Sequence, residues 1–259
     1  MEPWKLQLGL LVLILVALVA LMFWLRWRAD KKAALDHAGA LAKFASSVGG
    51  TASHANAWSA GLRRPFAHEY GDVISWLHRA SDGRFDHALD FDRYGWRVRV
   101  TEASIELNSA STQGNVVTHY EHRIEVAASG LVPLKIASSS WAGGTGARKW
   151  VGEMPQTVAR DQQPQWLELR LPEPVAPEFV ACTSDPHRAA AMFTTQVVER
   201  LLGESRMGDL RTLTFESGIA YSVATGQIDP KTILRKVDAI IGLLDRMPDA
   251  QPAHPEVTA

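Results

Sequence analysis

Residues 185–247 read DPHRAAAMFTTQVVERLLGESRMGDLRTLTFESGIAYSVATGQIDPKTILRKVDAIIGLLDRM, and this stretch decides the fold. Asp185 followed by Pro186 is a helix start: the carboxylate can accept from exposed first-turn N–H groups, and proline needs no N–H there. Ala189, Phe193, Val197 and Leu201 then recur four apart, which predicts one amphipathic helix stopping at Gly203. Residues 210–215 and 219–223 are strand-like, and Glu216-Ser217-Gly218 between them predicts a hairpin turn. Asp229-Pro230 repeats the start signal, and Ile233, Val237, Ile240, Ile241 and Leu244 form the stripe of a helix ending at Met247 before Pro248. Helix, hairpin, helix is an α+β unit in which both stripes can cover one sheet face. Phe193, Val197, Leu201, Ile233, Val237 and Ile240 should face inward, with Arg188, Arg235 and Lys236 in solvent. The proline- and alanine-rich tail, 249–259, is expected to be disordered.

The preceding region supplies the rest of a mainly antiparallel sheet. Trp96, Val98 and Val100 alternate with Arg97 and Arg99, and VVTHYEHRIEV at 116–126 also fits a period of two. The polar loop around Gln113-Gly114-Asn115 makes these strands neighbours, with no crossover helix to make them parallel. Residues 131–136 are apolar around Pro133, so they belong at an edge or form a strand that starts after the proline. WLELRL at 166–171 alternates again, whereas residues 71–80 fit a strand or a helix, with the strand preferred. Residues 51–61 are small and polar and read as a linker.

The other organising stretch is LQLGLLVLILVALVALMFWL, Leu6 to Leu25, which contains no charge. As a helix it is about 30 Å long, one hydrocarbon core. Phe23, Trp24 and Trp27 stand where a signal peptidase would need small residues, so the segment is expected to be retained. Arg26, Arg28, Lys31 and Lys32 follow it while only Lys5 precedes it, which places the C-terminal part in the cytoplasm by the positive-inside bias. Residues 29–48 continue or restart as a helix ended by Gly49-Gly50. The expected organisation is an anchor at 1–28, a juxtamembrane helix and linker at 29–65, a soluble α+β domain at 66–248 and the tail.

Composition and motifs bound the chemistry. Among 259 residues the formal net charge is -1, which argues against nucleic acid as a partner. Cys182 is the single cysteine, so neither an intrachain disulfide nor a thiolate-rich zinc site can form. Asp86, His87, Asp90 and Asp92 in FDHALDFD offer cation ligands, but without the spacing of a calcium loop they read as a solvated turn with ordinary charge pairs. His119 and His122 are three apart and on a strand would point to opposite faces. His68, Glu69 and Tyr70 are merely consecutive. The glycines at 143, 144 and 146 precede Ala147-Arg148-Lys149 and make no phosphate loop; Arg148 and Lys149 between Trp141 and Trp150 suit at most an acidic ligand or headgroup. No Gly-x-Ser-x-Gly elbow is present, which leaves Cys182 and His187 as the pair to inspect for nucleophilic chemistry.

The phrases FVACTSDP at 179–186, LTFESGIAY at 213–221 and DPKTILRKVDAIIGLLDRMP at 229–248 resemble, in order and layout, a group of single-pass membrane proteins of unknown function from high-GC actinobacteria. The resemblance extends over residues 96–248 and implies an anchored cytoplasmic or envelope-associated module, with no active residues to carry over. The expectation is a membrane-tethered, non-enzymatic interaction or scaffold protein that needs no cofactor. It would hold the bilayer through Leu6 to Leu25 and a membrane or cytoplasmic protein as partner. The alternative is a membrane-associated hydrolase or small-ligand-binding protein.

Overall fold

The computed structural model describes residues 3–54, 86–108, 116–139, 167–207, 210–216 and 218–253. The chain divides into two compact units, Met1–Lys43 and Phe44–Ala259. Helix α1, Pro3–Ser47, runs without interruption through the apolar segment and the basic residues after it. The helix expected from residue 29 is therefore a continuation. At 1.5 Å per residue α1 is about 68 Å long, and it is long and apolar enough to cross a membrane, consistent with a membrane anchor. Gly49 ends it with φ +72°, and the Gly50 N–H donates to the Ala45 carbonyl at 2.8 Å. A Cβ on Gly50 would collide with Asp90 and Phe91, so this exit also needs a residue without a side chain.

The second unit is α+β, as expected. Its strands are β1 (Thr51–His54), β2 (His87–Arg93), β3 (Trp96–Asn108), β4 (Val116–Ser129), β5 (Leu134–Ser138), β6 (Leu167–Glu168), β7 (Phe179–Thr183), β8 (Thr212–Glu216), β9 (Ile219–Thr225) and β10 (Gln251–Pro252). They form a 10-stranded sheet in the order β1-β2-β3-β4-β9-β8-β5-β7-β6, with β10 on β4. The described pairings are antiparallel. The β2–β3 turn is Tyr94-Gly95, with φ 53° and 82°, the pair of positive values that matches strand twist in a two-residue hairpin.

Alternation divides the sheet into two chemically different faces. Leu89, Phe91, Trp96, Val98, Val100, Ile124 and Val126 share one face with Leu213, Phe215, Leu134 and Ile136, and all are buried. Helix α4, Ile233–Leu244, lies against β4 on this side and buries Ile233, Val237, Ile240, Ile241 and Leu244. One outer edge is fastened by Arg93, bidentate to Asp238 at 2.8 and 2.9 Å, and by the Trp96 indole N–H on Asp245 at 2.9 Å. Helix α3, Thr195–Met207, packs on α4, with the Arg200 guanidinium lying against Gly242.

Six expectations are corrected. The helix expected through 186–202 is two: α2, Pro186–Met192, capped by Asp185, ends at Phe193, and Thr194 begins α3 by accepting from the Val197 N–H at 3.4 Å. Phe193 is consequently only half-buried. Gly203 does not stop α3, because a single glycine costs a helix only about 1 kcal/mol and Leu201 and Glu204 on either side are buried. Lys236 reaches back to the sheet. Residues 51–54 form an edge strand, which needs backbone pairing more than side-chain pattern. The tail begins with β10, and Ala253 is buried against Ala127, Ile219 and Tyr221. The strand expected at 71–80 and the loops around 113–115 and 140–164 lie outside the described residues.

Replacing Ile240 with alanine should cost about 2 to 5 kcal/mol, as expected for a fully buried aliphatic side chain. Phe193→Ala should cost less than that, and Arg235→Ala within about 0.5 kcal/mol. Denaturant melts of the full chain in mild detergent check this order; a Phe193→Ala loss exceeding that of Ile240→Ala would contradict the burial pattern.

Candidate functional site

Strand register brings four ionisable residues into line on the helix-covered face. His54 stands opposite His87, His87 opposite Glu102, and Glu102 opposite His122, from β1 to β4. Glu102 is 1% and His122 2% exposed, so charge here has to be partnered. The His54 and His87 rings are 4.6 Å apart between centroids. His122 Nε2 lies 3.1 Å from the Lys236 ammonium on α4. An ammonium can only donate, so Nε2 accepts and the ring proton sits on Nδ1, which donates to the Gly226 carbonyl at 2.9 Å.

The same residues hold the connection from β9 into α4. Gly226, φ +96°, donates its N–H to the Tyr120 carbonyl at 2.6 Å, and a Glu102 oxygen accepts from the Ile228 N–H at 2.5 Å. Asp229 then accepts from the Lys231 N–H at 3.0 Å and the Thr232 hydroxyl at 3.1 Å, and the Lys231 bond is the main reason its carboxyl lies below the usual range. The geometry is a clasp, with titratable side chains closed on backbone groups. Burial pushes the His122 imidazole below its ordinary value, and the Lys236 charge adds to this against the opposing pull of the Gly226 bond. His122 is thus a neutral spacer between a cation and a carbonyl.

The opposite sheet face carries a second row. Asp90, Arg99, Glu125, Tyr221, Thr214, Lys135, Cys182 and Glu168 follow one another directly across β2, β3, β4, β9, β8, β5, β7 and β6. Asp90 holds Arg99 bidentately at 2.7 and 2.9 Å. Arg123 lies 2.7 Å from Glu125 and places its guanidinium 4.1 Å from the centre of the Tyr221 ring. The Tyr221 hydroxyl donates to Glu216 at 3.4 Å, and burial pushes the phenol well above its usual range. Glu121 Oε2 and Thr214 Oγ1 on this face are buried without a hydrogen-bond partner among the described residues, and desolvation raises the Glu121 carboxyl to about 7.

Among the described residues, those singled out by sequence do not converge; His68, Glu69 and Tyr70, and Trp141, Arg148, Lys149 and Trp150, lie outside them. FDHALDFD contributes β2 rather than the expected turn, because Asp90 pairs with an arginine on the neighbouring strand that local sequence cannot reveal. Alternation sends His87 to the helix-covered face and Asp90 and Asp92 to the other, with Asp86 just before the strand. His119 lies in β4 opposite Ile105. Cys182 sits beside Lys135 and Glu168, and burial, with Glu168 adding to it, raises its thiol, the opposite of nucleophile activation. His187 is exposed on α2, and among the described residues no hydrogen bond joins it to Cys182. An open depression beside α3 is lined by Gln196, Glu199, Arg200, Asp245 and Arg246. Arg200 there pairs with Glu204 at 2.7 Å, Asp245 accepts from Trp96, and Arg246 donates to the Gly242 carbonyl. The clasp residues were individually visible, but their alignment depends on strands far apart in the chain.

No family model matches the chain, and no curated protein matches it in sequence. Among solved structures it is similar to the crystal structure of the mycobacterial trehalose monomycolate transport factor A, TtfA, with a TM-score of 0.48 and 8% identity over 83% of this chain and 96% of that one. That protein is actinobacterial, like the group the sequence resembles, but at this identity and score the likeness assigns neither a family nor an activity.

Breaking the Asp90–Arg99 pair with Asp90→Asn should cost about 3 to 5 kcal/mol, because Arg99 stays buried. Replacing both with apolar residues of similar size should cost less, and a double-mutant cycle by urea melts compares the two.

The pH dependence has two opposing parts. His122 is lowered from 6.5, so the unfolded chain takes up its proton first, and the clasp's contribution, present above about 6.5, is lost as pH falls toward the folded value. Glu121 is raised from 4.5 to about 7, so its contribution is present below 4.5 and lost as pH rises through 7. Melting temperatures should show His122→Gln reducing the acid loss, and Glu121→Gln raising stability at about pH 7.5 with little effect at about pH 4.

Proposed function

We propose that the chain is a membrane-tethered, non-enzymatic interaction or scaffold protein with its C-terminal domain in the cytoplasm. The observation that carries this reading is α1, one continuous helix that joins an uncharged, membrane-length segment to a basic segment. The bias of Arg26, Arg28, Lys31 and Lys32 over Lys5 supports the orientation. The non-enzymatic part is supported by how the described ionisable groups are used. His122, Glu102, Arg99 and Asp229 hold backbone or neighbouring side chains, and the Cys182 thiol is shifted away from reactivity. A tether raises the local concentration of such a domain near membrane partners, so that a weak contact surface suffices. The partner class is a membrane or cytoplasmic protein.

Topology is checked with Cys182→Ser as background and a cysteine introduced by Ala259→Cys. An impermeant thiol reagent should label it only after permeabilisation, and labelling of intact cells would reverse the orientation. Crosslinking in membranes should capture a protein partner with the full chain and lose it when residues 6–25 are removed. Equal capture from both would show that the tether does not serve the interaction.

A further inference from the structure

The end of the apolar segment in α1 bears two cation–aromatic pairs. The Arg28 guanidinium lies 5.4 Å from the centre of the Trp24 ring, and the Lys31 ammonium 5.2 Å from that of Trp27. At about 100° per residue, positions 24, 27, 28 and 31 fall within about 100° of arc, one stripe of the helix. Arg26 and Asp30 fall on the far side, so the only acidic residue of this segment is kept off the stripe. Both indoles are exposed, Trp24 at 48% and Trp27 at 60%.

We propose that Trp24, Trp27, Arg28 and Lys31 bind the phosphate of anionic phospholipid headgroups, an inference that rests on the anchored reading above. Trp24 is the last residue but one of the uncharged run and Lys31 is seven residues on, about 10 Å along the axis. Subtracting a core of about 30 Å from a bilayer of about 40 to 45 Å leaves a headgroup layer of about 5 to 8 Å on each side. Arg28, three residues past Leu25, therefore falls within it, and Lys31, six residues past, at its outer edge. With Leu25 at the core boundary, the indoles sit at the interface they favour and the two cations lie among the phosphates. Each indole face holds its cation in place while leaving N–H groups at the edge of the guanidinium and ammonium to donate to phosphate oxygens. Lys32, next to the stripe, adds positive charge, so the partner that fits is a lipid with net negative charge rather than a zwitterion.

The test uses the full chain reconstituted in phosphatidylcholine vesicles containing brominated phosphatidylglycerol or brominated phosphatidylcholine, with tryptophan quenching giving the relative association constant. Phosphatidylglycerol should be preferred, the preference falling about fivefold for each cation removed in Arg28→Gln and Lys31→Gln and shrinking in high salt. Arg26→Gln, on the far side, should keep most of it. Equal constants for the two lipids, or an Arg26→Gln loss matching that of the Arg28→Gln/Lys31→Gln double variant, would overturn the stripe. Alkaline carbonate extraction of the same vesicles separates the two levels: a chain released by carbonate overturns the anchor itself, whereas a retained chain with equal constants overturns only the lipid preference.

Discussion

Both faces of the sheet depend on the register between β3 and β4, where Val98 to Asn108 pair residue by residue with Val116 to Val126. A slip by one residue would carry Arg123 toward α4 and turn Ile124 and Val126 to the charged face. Apolar transfer would be lost and buried charges left unpaired, and each such charge costs far more than one misplaced methyl group. The neighbouring pairs carry the same kind of check in their own registers: Asp90 meets Arg99 only in the observed β2–β3 register, and Glu125 meets Tyr221 only in the observed β4–β9 register. The buried ion pairs therefore act more through the penalty they place on misalignment than through net stabilisation.

The same register positions α4. With Glu102 and His122 opposite each other, their polar atoms reach the Ile228 N–H and the Gly226 carbonyl, and the chain leaving β9 is held at both points. Asp229 closes the next turn, and the helix that follows meets polar partners at Lys236, Asp238 and Asp245. Asp238 and Asp245 are two turns apart, so one edge of the apolar stripe is pinned twice to the β2–β3 hairpin. Hydrophobic burial supplies the energy for docking, and these few directed bonds select one rotation of the helix about its axis.

What could be read from sequence was whatever repeats locally. The period of two at 96–100 and 116–126, the stripe from Ile233 to Leu244, and the aspartate-proline start at Asp185 all reflect forces acting within a turn or a strand. After Asp229-Pro230, by contrast, the chain first makes a turn, and α4 begins at Ile233 behind Thr232. The misses involve distant partners. Lys236 is 114 residues from His122, and the charges of β2 look solvated until Arg99 is placed beside them. The break at Phe193 was hidden because four-residue spacing continues across it, while the hydroxyl of Thr194 offers the chain a new start. Residues 51–54 have no side-chain pattern because an edge strand is selected by its backbone. The histidine row was illegible for the strongest version of this reason: it exists only when β1, β2, β3 and β4 are laid side by side.

A reactive site requires polar groups that are close together and not already satisfied. Here closeness and satisfaction arise together, since the register that assembles each row also supplies its partners. His122 has both ring nitrogens engaged, Glu102 accepts from backbone, and the Arg123 guanidinium is flanked by Glu125 and the Tyr221 ring. Glu121 Oε2 and Thr214 Oγ1 depart from the pattern, and of the two only Glu121 carries a proton it can lose, its carboxyl titrating near neutrality. A site built on this sheet would therefore have to begin where satisfaction fails. For the described residues that points to the Glu121 end of β4, beside Thr225 at the end of β9, and away from the clasp, whose donors and acceptors are occupied in holding α4.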